Sequence, residues 1–336
     1  MEFGINGVLI GLDKTKDKKI PLFVLVGPTA TGKTEIAVIL AQHWHGEVVS
    51  ADSMLVYKSM DIGTAKPSLQ ERQGIVHHMI DVVEPEEEFT VARYMGMAKQ
   101  AIEEIAHRGK LPMLVGGTGL YIQSIIETVN FGLAKPDGQI REALMHLIEE
   151  KGKEYVHTML QQVDPVTACR LHPNDVKRVV RALEVYQKTG KPMSQMIMHH
   201  EDSPYDLYVF GLTMDRQKLY TKINQRVDKM IQEGLVEEVK HLWESGCHEE
   251  FTSMQGLGYK EMLAYIKGEI SFLEAVEKLK QGTRRLAKRQ LTWFKRDKRI
   301  QWIVVDHYQN AGEVAQKIID LAAGIPRPVS KPFNGL

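Results

Sequence analysis

Short apolar runs alternate with longer stretches in which apolar residues recur every three or four positions. The runs at 22–26, 47–51, 75–80 and 111–115 have the length of buried strands, and the clearest helical period, 91–108, is stopped by Gly109. Strands alternating with helices in this way predict an α/β fold with a parallel sheet flanked by helices. From 134 to 204 the strand signal disappears and helical periods take over at 140–151, 155–162 and 175–189, the last begun by Pro173-Asn174 and stopped by Gly190. That stretch reads as an all-helical insertion. Strand-like alternation returns at 207–213, long helices follow at 216–246 and 271–294, and 300–306 reads as a further strand. The expected organisation is an N-terminal extension or start-site artefact at 1–19, a core made of 20–133 and 205–325, the insertion domain 134–204, and a flexible, proline-containing tail at 326–336.

Between the first strand and the first helix stands Gly27-Pro28-Thr29-Ala30-Thr31-Gly32-Lys33-Thr34. Its glycines free main-chain N–H groups to face an anion, Lys33 adds a point charge, Thr34 can hold Mg2+, and the helix N-terminus brings its positive dipole end. The motif specifies a diphosphate or triphosphate and leaves the reaction open; taken with the alternating strands and helices, it makes the expected fold a P-loop NTPase-like parallel sheet flanked by helices. Ligands in such sheets sit at the strand C-terminal ends, where Asp52-Ser53 and Gly116-Gly117-Thr118-Gly119 also fall, so one cleft is expected. Asp52 could hold a metal, act as a general base, or cap the turn. Gly116 to Gly119 could admit a ligand closely, with the Thr118 hydroxyl on a phosphate oxygen, or form a plain turn. The segment 60–67 is, by composition, only a turn. Arg226 is placed either to clamp a diphosphate or to pair with a neighbouring acid.

The net charge is zero, with 43 basic and 43 acidic residues, which on its own argues against a nucleic-acid partner. The distribution reverses that reading. Arg284, Arg285, Lys288, Arg289, Lys295, Arg296, Lys298 and Arg299 crowd one segment, four-residue spacing puts the first four on a helix stripe, and Lys177, Arg178 and Arg181 form a smaller basic face in the insertion. Two basic regions distant in sequence suit a phosphate backbone, although a solvated helix face would show the same pattern. Cys169 and Cys247 lack metal or disulfide spacing, so a reducing cytoplasm is expected, with no signal peptide and no membrane span. Neither His77-His78 nor His199-His200 can easily share one ion, because adjacent strand residues face opposite ways.

Three strings, 27–34, 51–67 (Ala-Asp-Ser-Met-Leu-Val-Tyr-Lys-Ser-Met-Asp-Ile-Gly-Thr-Ala-Lys-Pro) and 116–121 (Gly-Gly-Thr-Gly-Leu-Tyr), together resemble the tRNA dimethylallyltransferase (tRNA isopentenyltransferase) family. His172-Pro173-Asn174-Asp175, Gly258-Tyr259-Lys260-Glu261 and Thr283 to Gln290 extend the likeness, which runs from about 21 to 306. Val76 departs from the family's usual proline, and no zinc-finger extension is present, which points to the bacterial type. The resemblance implies transfer of a dimethylallyl group from its diphosphate to the exocyclic amine of the adenosine 3′ of the anticodon, in tRNAs reading codons that begin with U. It makes Asp52 the base, and assigns Thr118, Arg226, Lys33 and Thr34 with Mg2+ to the leaving diphosphate, cradled by Gly27 and Thr29 to Gly32. It places tRNA contacts at Asp52, Ser53, Met54 and Leu55, at Arg141, at Val176, Lys177, Arg178, Val179 and Val180, at 254–259 including Gly258 and Tyr259, and at 283–290 including Arg284, Arg285, Lys288 and Arg289. The insertion becomes the clamp for the anticodon arm, and a monomer is expected.

Overall fold

The computed structural model describes residues 19–127, 137–196 and 203–325. The expected N-terminal extension, the tail at 326–336, both ends of the insertion and His199-His200 therefore lie wholly or largely outside the described residues. In chain order the core begins with β1 (Ile20–Val26), α1 (Lys33–Trp44), β2 (Gly46–Ala51), a short helix α2 (Leu69–Arg72), β3 (His77–His78), α3 (Val91–His107), β4 (Leu111–Gly116) and α4 (Gly119–Ile126). The insertion contributes α5 (Gly138–Lys151), α6 (Lys153–Val163), α7 (Pro165–Arg170), α8 (Val176–Thr189) and α9 (Met193–Met196). The core resumes with β5 (Tyr205–Thr213), α10 (Arg216–Gln232), α11 (Leu235–Glu244), α12 (Tyr259–Ile266), α13 (Phe272–Phe294), β6 (Gln301–Val304) and α14 (Ala311–Leu321).

All the strands pair in parallel, in the order β3-β2-β4-β1-β5-β6. Residues Leu22 to Val26 are fully buried, as a central strand covered on both faces requires. On one face α1 and α14 pack through Ile36, Leu40, Val314 and Ile318, while the other carries α3, α4, α11, α12 and α13 through residues such as Ile102, Ile122, Val239, Met262 and Leu279. The insertion helices close on a separate core that includes Leu144, Leu160, Val179 and Leu183.

Strand register positions the site. Gly116 of β4 pairs with both Val26 of β1 and Ala51 of β2, so these strands end level and the loops that follow them emerge side by side. Because β2 and β5 lie on opposite sides of β1, the loop after β1 opens into the crevice where the strand order reverses.

Three expectations from the sequence change here. The run at 75–80 yields only a two-residue strand, because Met79 and Asp81 adopt left-handed φ of 64° and 57° and turn the chain out of the sheet. The single helix expected over 216–246 is two, broken where Gly234 takes φ 101°. The strand expected at 300–306 stops at Val304 and tightens into a 3₁₀ turn.

Candidate active site

The loop at 27–34 wraps onto the N-terminus of α1, with Ala30 at φ 65° and Gly32 at φ 83°. Two side chains hold its shape: the Thr31 hydroxyl donates to the Pro28 carbonyl at 2.8 Å, and Lys33 Nζ donates to the same oxygen at 2.7 Å. Burial pushes the Lys33 ammonium down to about 8, against the raising charge of Asp52, while the Arg226 charge lowers it further. Burial likewise lowers Arg226, opposed by the carboxylates of Asp52 and Glu71. Those mutual influences place Lys33, Arg226 and Asp52 in one electrostatic neighbourhood, and Arg226 Nη1 donates to the Thr29 hydroxyl at 3.4 Å.

A cavity of about 870 Å³ opens here, lined by Thr29 to Thr34, Asp52, Gly117, Arg226 and Gln290, with Leu55, Ile62, Ile80 and Met230 as apolar wall. Asp52 follows the last residue of β2 and accepts the Met54 N–H at 2.9 Å through one carboxylate oxygen, Oδ1. This is the local turn bond that the sequence allowed, and it coexists with a place on the cavity wall. The Thr118 hydroxyl oxygen is engaged: it accepts the Ser53 N–H at 3.0 Å, which ties the loop after β4 to the one carrying Asp52. Gly117 has its own reason to be glycine, since a Cβ there would lie 2.3 Å from the Gln290 amide nitrogen. Close packing of protein on protein accounts for it. Thr34 lines the same cavity.

The segment at 60–67 is far more than a turn. The Glu238 carboxylate on α11 accepts the N–H groups of Asp61, Ile62 and Gly63 at 2.9, 2.8 and 3.1 Å, and the Tyr259 hydroxyl at 2.7 Å. Lys66, its side chain 5% exposed, reaches Asp61, Asp81 and the Tyr57 carbonyl. Glu238 is not singled out by the sequence, Lys66 appears there only within the 51–67 string, and Gln290 only as the last residue of the 283–290 stretch expected to contact tRNA, whereas it is half-buried on the cavity and bonded to Thr29 and Gly117. The available signal for Gln290 was its place on the inward stripe Thr283, Ala287, Gln290, Phe294 of α13; Glu238 offered none, because its partners are backbone groups far away in the chain.

The residues expected at an RNA interface divide into two sets. Lys177, Arg178, Arg285, Lys288 and Arg289 are exposed. Val179 and Val180 belong to a buried core and Gly258 and Tyr259 are buried, so none of the four offers a surface to RNA. Val176 packs against that same core. Arg141 is committed to the buried Glu184 carboxylate at 3.0 Å, Arg178 pairs with Asp175, and Arg284 pairs with Glu277 on its own helix and bonds Asn224, which anchors α13 to α10.

The profile of the IPP transferase family matches residues 55–297. The chain belongs to the IPP transferase family. It is 48% identical over 312 residues to a tRNA dimethylallyltransferase of Pelotomaculum thermopropionicum, covering 93% of this chain and 99% of that protein. Among solved structures, the tRNA isopentenylpyrophosphate transferase of Bacillus halodurans superposes with TM-score 0.70 at 43% identity, over 91% of this chain and 96% of that one. A eukaryotic dimethylallyltransferase acting on tRNA superposes with TM-score 0.77 at 30% identity, over 92% and 81%. The P-loop NTPase-like sheet of this IPP transferase is thus the fold expected from its phosphate loop. No helix among its described residues is long and apolar enough to cross a membrane.

Proposed function

We infer that this chain transfers a dimethylallyl group from dimethylallyl diphosphate to the exocyclic amine of the adenosine 3′ of the anticodon, in tRNAs that read U-initial codons. It is a prenyl-transferring enzyme of tRNA modification. The observation that carries the mechanism is one cavity lined by the phosphate loop, Arg226 and Asp52 together. The bond between the prenyl carbon and the diphosphate oxygen breaks with its electron pair going to the leaving group. Lys33, Arg226 and the amides of 29–34 would meet the charge where it grows. Leu55, Ile62, Ile80 and Met230 give the five-carbon chain an apolar wall. The adenine nitrogen forms the new bond to carbon and gives its proton to Asp52, which removes the cost of a cationic amine. A stacked base cannot reach this cleft, so the adenosine must be extruded from the loop of the RNA.

The donors present fit Mg2+. Thr34 supplies a hydroxyl beside the phosphate loop, and a small hard cation takes most of its remaining oxygens from phosphate and water. When bound, the ion neutralises charge on the diphosphate. The insertion at 134–204 is read as the domain that holds the anticodon arm, with exposed Lys177 and Arg178 facing phosphates as Arg285, Lys288 and Arg289 do from the core. The enzyme is proposed to work as a monomer in the cytoplasm, where its RNA substrate is.

A phosphate loop alone would equally serve an ATP-dependent kinase. Parallel incubations with tRNA and either isotope-labelled dimethylallyl diphosphate or γ-labelled ATP separate the two. Label from the prenyl donor is expected in tRNA; label from ATP alone would make the chain a phosphoryl transferase.

A further inference from the structure

One side chain joins the two halves of the cleft. Thr29 N–H donates to Gln290 Oε1 at 2.9 Å, and Gln290 Nε2 donates to the Gly117 carbonyl at 3.0 Å. A single amide on α13 thus spans the loops that leave β1 and β4. Beyond Thr29 the chain of contacts reaches Arg226, whose guanidinium donates to the Thr29 hydroxyl. Beyond Gly117 it reaches Thr118, whose hydroxyl oxygen takes the Ser53 N–H next to Asp52. At Gly117 a Cβ would lie 2.3 Å from the Gln290 amide nitrogen, so any larger residue there would displace the Gln290 side chain from its bonds. On the outward side of the same helix stand Arg285, Lys288 and Arg289, all exposed, while Gln290 itself lies half-buried on the cavity wall.

We propose that Gln290 is a positioning residue for the diphosphate, not an RNA contact: it sets the phosphate loop at its working distance from the Asp52 loop. This rests on reading the loop at 27–34 as the diphosphate site. Only an uncharged amide fits the role, because it must accept from one loop and donate to the other. A carboxylate would keep the acceptor for Thr29 and repel the Gly117 oxygen; a methionine would leave both backbone groups without their partner.

Gln290→Met and Gln290→Glu should be compared with wild type in three measurements: affinity for inorganic pyrophosphate, affinity for tRNA, and kcat and KM for dimethylallyl diphosphate at saturating tRNA. Pyrophosphate affinity and kcat/KM are expected to fall ~10- to 100-fold, the scale of a misplaced reacting group, with tRNA affinity within about twofold of wild type. Relative to wild type at the same pH, Gln290→Glu should regain pyrophosphate affinity as pH falls towards about 5, since its carboxyl, raised by the facing carbonyl, becomes a donor-acceptor pair again when neutral. A loss confined to tRNA affinity would make Gln290 an RNA contact and overturn the proposal, as would unchanged values throughout. Failure of both variants to fold would also overturn it, leaving Gln290 a structural tie only. If wild type binds pyrophosphate but transfers no prenyl group, the proposed reaction falls while the pyrophosphate comparison still decides the role of Gln290.

Discussion

Lys33 sits where its charge is least comfortable and most useful. Burial lowers its pKa to about 8 in the free cleft, so an arriving diphosphate, which favours the charged form, must draw a proton onto it whenever the pH is near or above that value. The sign follows: diphosphate affinity attributable to Lys33 is complete below about 8 and declines as pH rises through it. Calorimetry at a pH slightly above 8 in two buffers of different ionisation heat should therefore show net proton uptake on pyrophosphate binding. Identical heats in both buffers would remove Lys33 from the anion site. Asp52 has the complementary task. Asp52→Ala is expected to slow transfer by ~10² to 10⁴ while tRNA still binds, because a positioned base contributes on that scale. Near-normal single-turnover rates would assign the proton elsewhere.

At the scale of elements, α13 has two distinct faces. Its inward stripe of Thr283, Ala287, Gln290 and Phe294 seats it on the core and the cleft, and its outward stripe offers Arg285, Lys288 and Arg289. Replacing those three with alanine should flatten the dependence of log Kd for tRNA on log salt by about 2 to 3, each phosphate contact being worth roughly 0.7 to 0.9. Arg284 is not interchangeable with them, because its bond to Asn224 ties α13 to α10 while Glu277, on α13 itself, holds its guanidinium. An unaltered slope would return the stripe to an ordinary solvated face. The loop at 60–67 makes a different case. Glu238→Ala would strand the N–H groups of Ile62 and Gly63 and the Tyr259 hydroxyl, with water able to replace it at the exposed Asp61 N–H, and should cost ~3 kcal/mol in urea unfolding, since each poorly satisfied group costs on the order of 1 kcal/mol. A midpoint within error of wild type would contradict that tie. β2 and β3 are joined more electrostatically: burial pushes the Glu47 carboxyl up, yet hydrogen bonds from Lys110, His78 and Arg108 outweigh it and hold it at about 2. That stabilisation is present above the ordinary carboxylate range and is lost as pH falls through it towards 2, so Glu47→Gln should flatten the acid limb of the stability curve.

Taken as a whole molecule, the sheet and its cleft were legible because strand runs such as Leu22 to Val26 are apolar without interruption and the phosphate loop follows one of them directly. The run of helices between 138 and 196 was legible for the opposite reason, a long stretch with no strand period. What stayed hidden depends on tertiary partners. β3 shrinks to His77–His78 through left-handed turns at Met79 and Asp81, which residues other than glycine seldom advertise. Val179, Val180, Gly258 and Tyr259 read as candidates for RNA from the motifs that contain them, and only packing reveals that they are buried. Gln290 and Glu238 make bonds to backbone groups, whose sequence carries no trace of the partnership. The central claim is that one cleft both releases diphosphate and alkylates an unstacked adenine. Mass analysis of nucleosides from unmodified tRNA, after incubation with dimethylallyl diphosphate and either wild type or Asp52→Ala, tests it most directly. Wild type is expected to yield one adenosine per susceptible tRNA bearing a dimethylallyl group on its exocyclic nitrogen, with Asp52→Ala yielding almost none in the same time; unmodified adenosine in both, or modification on another atom or another base, would contradict it.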